Sequence, residues 1–273
     1  MSANTISDEC ENFVQIDSIR KIFSGRNGRA DREALNDITV TLSRGEFLSI
    51  MGARGCGKST LLNIVAGLEQ PTSGYVLVDG KMVTAPALDR GLLFQNHSLL
   101  PWLSVLNNVE LAVQTVFPEK SWIEVNLCAL QYLELAGMRT HLNKKPAEIS
   151  AGMKQRVGLA RAFATQPSVL LMDEPFGGLD AFTRTQLQDD LMTVWESDPR
   201  TVVLATNDVD EAIFLSDRIV LMSDSPARIA DVIEVNLPRP RSREESMRYP
   251  EFQSLRESIL HHLTHADQHQ TVA

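Results

Sequence analysis

No stretch of this 273-residue sequence approaches the roughly 18 consecutive apolar residues that span a bilayer, so no spanning helix is expected. The lead-in from Met1 to Glu11 is polar and acidic and lacks the apolar core of a signal peptide. Cysteine is scarce. Cys10, Cys56 and Cys128 are odd in number and widely spaced, which argues against a disulfide framework or a zinc site and fits reduced cytosolic thiols. An excess of positive charge is missing too. The 26 Lys and Arg against 35 Asp and Glu give a formal net charge of −9, which disfavours broad attraction to nucleic acid or anionic lipid. Internal repeats and low-complexity tracts are absent. What remains, 43% hydrophobic and 22% charged, is an ordinary globular composition, long enough for one or two domains with a sizeable core.

The most informative stretch is Gly52-Ala53-Arg54-Gly55-Cys56-Gly57-Lys58-Ser59, followed by Thr60. It fits G-x-x-x-x-G-K-[ST], a loop that cradles phosphate. Phe47 to Met51 reads as a short buried strand before it. Ser59 to Ala66 reads as a helix after it, with Gly67 as the stop. The glycines allow the backbone to wrap closely around phosphate oxygens. Free N–H groups and the positive dipole end at the helix start favour an anion. In this motif Lys58 reaches the β- and γ-phosphates and Ser59 ligates Mg²⁺. Cys56 is either a small spacer or an acidified, oxidisable thiol. Arg54 either adds positive charge near the phosphates or points to solvent.

Residues 1–12 are expected to be a disordered lead-in. Phe13 to Ile16, Leu35 to Leu42, Tyr75 to Val78 and Gly91 to Phe94 read as strands, with Asp79-Gly80 as a hairpin turn. Phe23 is either an aromatic that stacks on a base or an ordinary core residue. From about 97 to 165 the spacing is helical, over Val105–Val116, Trp122–Ala136 and Gly152–Thr165. Strands return at Val169–Met172, Val202–Ala205 and Ile219–Met222. Their short apolar runs separated by helical segments suit a parallel sheet covered on both faces. Pro238-Arg239-Pro240-Arg241 marks a loop. After it Phe252, Leu255, Ile259 and Leu263 share one helical face and predict a small docking helix. His261 and His265 lack a third ligand, so they read as a solvated tail.

A second anchor is Leu170-Leu171-Met172-Asp173-Glu174-Pro175. Its acidic pair leaves the end of an apolar strand, where doubly wound sheets place their ligands. Asp173 suits Mg²⁺, and Glu174 suits activation of a water. Asn143-Lys144-Lys145-Pro146 lacks the Asp of a guanine-reading N-K-x-D element, so ATP is expected rather than GTP. A third anchor is Ile149-Ser150-Ala151-Gly152-Met153-Lys154-Gln155-Arg156. Ser150 sits in a helix-capping position, and the small residues Ala151 and Gly152 leave N–H groups open to an anion.

In these three anchors and their order the sequence resembles the ATP-binding-cassette (ABC) ATPases, whose signature is usually L-S-G-G-x-x-Q-R. The resemblance spans about residues 13–235. It implies an α/β fold: a P-loop NTPase (RecA-like) core with antiparallel β structure and an inserted α-helical subdomain, leaving 236–273 as a tail. It also implies a head-to-tail dimer in which each ATP lies between one subunit's phosphate loop and the other's Ser150-Ala151-Gly152. Phe23 matches the adenine-stacking aromatic, Gln95 the glutamine that touches Mg²⁺ and the water, and Asp180 the loop that crosses the dimer seam. Phe94-Gln95…Leu99-Leu100-Pro101-Trp102 and Asn236 to Arg241 look like the nitrate/sulfonate/taurine importer group, nearest its nitrate, cyanate and bicarbonate members. That implies an ATPase on the cytoplasmic face of the inner membrane, bound to transmembrane permease subunits through a groove lined by Leu99 to Leu103. An extracytoplasmic binding protein would deliver the anion. No nucleic-acid partner is expected. DNA-maintenance ATPases of the superfamily carry long coiled-coil insertions, where this chain has a compact helical segment.

Three positions depart from the family pattern. Asn207 stands where a His is usual in T-H-D-x-x-E-A. Its amide donates a hydrogen bond but cannot become cationic or relay a proton as imidazole does, so slow hydrolysis is expected at this site. Ala151 replaces the first signature glycine, and Arg54 replaces a small or polar residue. Together they suggest unequal sites, hence a heterodimer with a second cassette. A homodimer tolerant of Asn207, or a mainly ATP-binding regulatory subunit, are the alternatives.

Overall fold

The computed structural model describes residues 12–25, 30–94 and 98–266. Two-residue alternation builds a first layer. β1 (Asn12–Phe23) and β2 (Arg32–Ser43) pair antiparallel and bury Phe13, Ile16 and Ile19 of one strand and Leu35, Ile38 and Leu42 of the other. β1 continues well past the expected Ile16. It absorbs a break at Ser18 (φ 49°), where the register with β2 shifts, as a bulge allows. β3 (Phe47–Met51) leaves for a second sheet and runs into α1 (Lys58–Val65). The chain returns through β4 (Ser73–Val78) and β5 (Lys81–Met82). Their turn, Asp79-Gly80, has φ of 51° and 70°, the left-handed pair that a two-residue hairpin needs. The first sheet has the order β2-β1-β4-β5.

After β6 (Arg90–Leu93) come α2 (Val105–Val116), α3 (Trp122–Leu135) and α4 (Ala151–Ala164). Serines start all three. Ser104 accepts from Asn107 N, Ser150 accepts from Met153 N, and Ser121 forms a capping box with Glu124. Val109, Val113, Ala129, Leu133 and Val157 pack the three helices together. Then β7 (Val169–Asp173), α5 (Ala181–Ser197), β8 (Thr201–Thr206), α6 (Val209–Leu215), β9 (Arg218–Met222) and β10 (Ile229–Glu234) complete the second sheet, with order β10-β9-β3-β8-β7-β6. Its pairs are parallel except β10 with β9. Side chains alternate between two cores. Phe47, Met51, Leu170 and Leu204 join the helices, whereas Leu48, Ile50, Leu171 and Val203 face α1 and the first sheet. Burial on both faces is why these strands read as unbroken apolar runs.

β10 is absent from the sequence expectations. It is an edge strand in which half-buried Ile229, Asp231 and Ile233 alternate with exposed Ala230, Val232 and Glu234, and so carries no apolar run. The tail is anchored rather than loose at Pro238–Arg241. The buried Arg241 guanidinium donates to the carbonyls of Ile213, Phe214, Ser216, Val235 and Leu237, satisfying the C-terminal end of α6. Arg239 stacks on Trp195 and pairs with Asp217. α7 (Arg243–Ser246) and α8 (Pro250–Ala266) follow. Phe252 and Ile259 of α8 are buried, with Leu255 and Leu263 packed beside the same core, as their spacing predicts.

Candidate functional site

Sheet order assembles the site. β3 and β7 flank β8, so the loop after β3 and the acidic end of β7 emerge side by side at the carboxyl edge, where open α/β sheets bind ligands. Two of the loop glycines cannot be replaced without conflict. Gly57 has φ 131°, and a Cβ there would lie 2.7 Å from Leu35 Cδ2. A Cβ on Gly52 would lie 2.9 Å from both Cys56 Sγ and the Met222 carbonyl oxygen. Lys58 is only 4% exposed, and its Nζ donates to the carbonyls of Gly52 (2.8 Å) and Ala53 (3.0 Å). Ser59 Oγ donates to Asp173 Oδ1 at 3.0 Å. A hydroxyl and a carboxylate so placed are the hard oxygen donors that suit Mg²⁺.

A cavity of about 530 Å³ is lined by Arg32, Arg54, Gly55, Gly57, Lys58, Ser59, Thr60, Asp173 and Glu174. Glu174 adopts φ 44°, a left-handed conformation that costs a non-glycine residue about 1–2 kcal/mol. The Glu174 N–H donates to the Ala205 carbonyl at 2.9 Å, and its own carbonyl accepts from Gly177 N. These bonds hold the strained turn, and with it the carboxylate, against the cavity.

A smaller adjoining cavity, about 110 Å³, gathers Arg54, Glu174, Arg184, Asn207, Asp208 and Glu211 with the turn at Phe176–Gly178. Asn207 is exposed at the end of β8. Asp208 caps α6 through Glu211 N and pairs with Arg184. Glu211 is fully buried and accepts from Gln188 Nε2 at 2.7 Å. Burial pushes its carboxyl up to about 7, against the opposing hydrogen bonds from Thr206 and Gln188.

The remaining predicted residues divide. Ser150, Ala151 and Gly152 line neither cavity. Ser150 and Ala151 are exposed, while Gly152 abuts Thr183 of α5, where an added Cβ would lie 2.4 Å from Thr183 Cγ2. Asp180 caps α5, and the Thr183 N–H it accepts lowers its carboxyl below the usual range. Phe23 is 40% exposed, with Lys21 Nζ 5.0 Å from its ring centroid, so it is not a core residue. It sits in register with Arg32, which lines the larger cavity. Cys56 is buried, and burial pushes its thiol up more than nearby Lys58 lowers it, which overturns the acidified reading and leaves the spacer. Gln95 lies outside the described residues. Among the described residues no cluster of three or more His, Cys, Asp or Glu could hold a metal ion. The side chain of His265 is outside them.

Sequence reasoning misses Arg32, Arg184 and Asn108. Arg32 Nη2 donates to the Gly55 carbonyl at 3.2 Å, and no motif marks it. Buried Asn108 braces Leu100 to Ser104 through both of its amide atoms, leaving Trp102 at 67% exposure. Gln155 of the signature helix donates to the Pro175 carbonyl, tying α4 to the turn after Glu174.

A phosphate loop beside an acidic strand end, with a capped small-residue helix held against the next turn, defines a P-loop nucleotide-binding cassette. The pattern of the ABC transporter family matches residues 35–177, and the chain belongs to that family. It is 46% identical over 252 residues to the "Bicarbonate transport ATP-binding protein CmpC" of Synechocystis sp., covering 92% of this chain and 38% of that one. The chain thus spans well under half of the relatives of that type. It is also 46% identical over 259 residues to the "Nitrate transport protein NasD" of Klebsiella oxytoca (92% and 96% covered). With the "Nitrate import ATP-binding protein NrtD" of Synechococcus elongatus it shares 44% over 249 residues (91% and 90% covered). The fold is similar to the dimeric post-hydrolysis ATP-binding cassette MJ0796 bound to ADP and Pi, with TM-score 0.70 and 31% identity over 82% of this chain and 100% of that one. Among the described residues no helix is long and apolar enough to cross a membrane.

Proposed function

We propose that the chain is the ATP-binding and ATP-hydrolysing subunit of an importer of a small anion, nitrate first. Bicarbonate, cyanate, sulfonate and taurine are the alternatives. One observation carries this reading. Lys58, Ser59, Asp173 and Glu174 meet at one cavity, in a chain 46% identical to a nitrate transport protein along nearly its whole length.

Lys58 and the N–H groups from Gly55 to Thr60 bind the phosphates, and Phe23 stacks on adenine. Ser59, Asp173 and Gln95 hold Mg²⁺, which when bound supplies a Lewis acid at the phosphate oxygens. Glu174 accepts the proton of the attacking water, and Asn207 donates its amide to the terminal phosphate. Ser150, Ala151 and Gly152 of a second cassette close over the nucleotide, with Asp180 at the seam. Residues 13–235 form the ATPase unit, and 236–273 form a docked tail. The exposed Phe94 and Trp102, with Leu99 to Leu103, receive the transmembrane permease, which places the chain at the cytoplasmic face of the cell membrane. An extracytoplasmic binding protein delivers the anion to the permease.

The test is the purified complex in liposomes with nitrate-loaded binding protein. Glu174→Gln is expected to lower ATP turnover by about 10²–10⁴ while leaving nucleotide binding intact. Turnover at the wild-type rate refutes the assignment. The neutral Asn207 favours a second reading, a mainly ATP-binding cassette paired with a competent, different partner. Intact mass of the complex discriminates the two, because a single cassette species ends the heterodimer reading. Asn207→His is expected to raise turnover, by up to the roughly 10²–10³ that one transition-state donor contributes. An unchanged rate removes the argument for slow hydrolysis.

A further inference from the structure

We propose that Arg54 is the residue by which this site distinguishes ATP from ADP, its guanidinium binding the terminal phosphate at the junction of the two cavities beside Glu174 and Asn207. The inference rests on the nucleotide-binding reading of the loop. Among the described residues only Arg54 and Glu174 line both cavities, the larger with Lys58 and Ser59 and the smaller with Asn207. Arg54 is therefore next to the place where a terminal phosphate on the loop meets the acidic turn.

Among the described residues the other arginines near that junction are engaged. Lys58 donates to two loop carbonyls on the loop side of the larger cavity, where it serves the β- and γ-phosphates, and Arg32 donates to the Gly55 carbonyl. Arg184 is paired with Asp208 and donates to the Leu179 carbonyl. The Arg54 side chain is exposed on the loop, and among the described residues no ion pair involves it. Its planar fork of five donors is free to grip phosphate oxygens in pairs.

Charge makes the case specific to the terminal phosphate. Glu174 and Asp208 line the junction, and the strand-end side chain, Asn207, is neutral. A phosphate arriving beside these carboxylates needs a counter-charge on the same side, and among the described residues lining the two cavities Arg54 is the arginine with no protein partner. The α- and β-phosphates lie along the backbone N–H groups, with Lys58 bridging the β- and γ-phosphates, so the part of the nucleotide shared by ATP and ADP depends on Arg54 less. An interaction made only with the third phosphate shows as a difference in affinity between ATP and ADP, not as a loss of both.

The experiment measures equilibrium binding of fluorescent MgATP and MgADP to the full chain, for wild type, Arg54→Ser, Arg54→Lys and Lys58→Ala. Arg54→Ser is expected to weaken MgATP about tenfold or more and MgADP less than about twofold, with Arg54→Lys recovering part of the difference because it keeps a point charge. Equal weakening of both nucleotides by Arg54→Ser, or no change in either, overturns the proposal while leaving the nucleotide site standing. Wild type that fails to bind MgATP, or Lys58→Ala that binds as wild type does, overturns the site reading and this proposal with it. A second arm adds Asn207→His to Arg54→Ser. Restored ATP preference supports a charge supplied at one junction from either side, and an unrestored preference together with unchanged single variants counts against it.

Discussion

Replacing Gly152 by Ala tests whether the signature helix and the Asp180 turn move as one. A Cβ at 152 would lie 2.4 Å from Thr183 Cγ2, about an ångström inside ordinary contact. Thr183 is a stiff β-branched residue in the first turn of α5, and its N–H donates to Asp180 Oδ1 at 3.0 Å. It cannot swing away without disturbing that cap. Two effects oppose each other. Alanine gains up to about 1 kcal/mol of helix propensity over glycine. Overpacking costs about 1–3 kcal/mol, and disturbing the Asp180 cap adds to it on the scale of about 1 kcal/mol. The net expectation is a loss of about 1–3 kcal/mol, read as a lower urea midpoint at unchanged slope. Thr183→Ser removes the offending methyl and keeps the hydroxyl and the cap. Gly152→Ala/Thr183→Ser should therefore recover stability, with a coupling of about 1 kcal/mol or more between the two sites. The single variant should also slow ATP-driven pairing of cassettes, because Ser150 and Asp180 are displaced together, and the double variant should restore it. Additive effects, with coupling below about 0.5 kcal/mol, would refute the contact argument. So would full stability in Gly152→Ala alone.

Arg241→Ala strips five carbonyls of one buried donor group and should cost about 3 kcal/mol or more in urea unfolding, at about 1.5–3 kcal/mol per charge-assisted bond with partial repair by water. Arg241→Lys should recover only a fraction, since an ammonium cannot span both groups of carbonyls. Full recovery would argue against the fork. Glu211 has a folded pKa of about 7 against an ordinary 4.5. Folding therefore favours its protonated form. That contribution is complete below about pH 4.5 and is lost as pH rises through 7. The corresponding fall in stability is about 3 kcal/mol, and Glu211→Gln should flatten it in denaturation series from pH 5 to 8. A curve with the same slope in the variant would show that another group is responsible. Ser59→Ala removes the hydroxyl bonded to Asp173 and should raise the Mg²⁺ concentration needed for half-maximal ATP hydrolysis by about tenfold or more. An unshifted Mg²⁺ titration would exclude Ser59 as a ligand.

Much of this fold can be read from the chain in order. β3, α1, α2 and the parallel strands β7, β8 and β9 emerge within a residue or two of expectation, because the strands are apolar runs, α2 is a serine-capped amphipathic segment and α1 follows directly from the glycine loop. β10 is illegible because Asp231 and Glu234 interrupt it and its partner strand covers only one edge. Pro238 to Arg241 reads as a plain loop because nothing local indicates that Arg241 enters the end of α6. Asp180 illustrates a second limit. Its place in the Gly177–Asp180 turn is visible in the sequence, but its engagement as the cap of α5 appears only with the helix in view.

The sequence alone determined the chemistry of the phosphate loop and the family, since strand, glycine loop and helix are contiguous and their geometry follows from local backbone rules. Tertiary structure decided what that chemistry works with. Ser59 and Asp173 are 114 residues apart and meet because β8 separates β3 from β7 in the sheet. Arg54 comes to the side of Asn207 for the same reason, since the loop after β3 and the end of β8 belong to hydrogen-bonded neighbours in parallel register. Periodicity along a chain specifies which face of each strand is buried. The order in which strands pair depends on packing between distant segments, and that order selects the side chains that share the cavity.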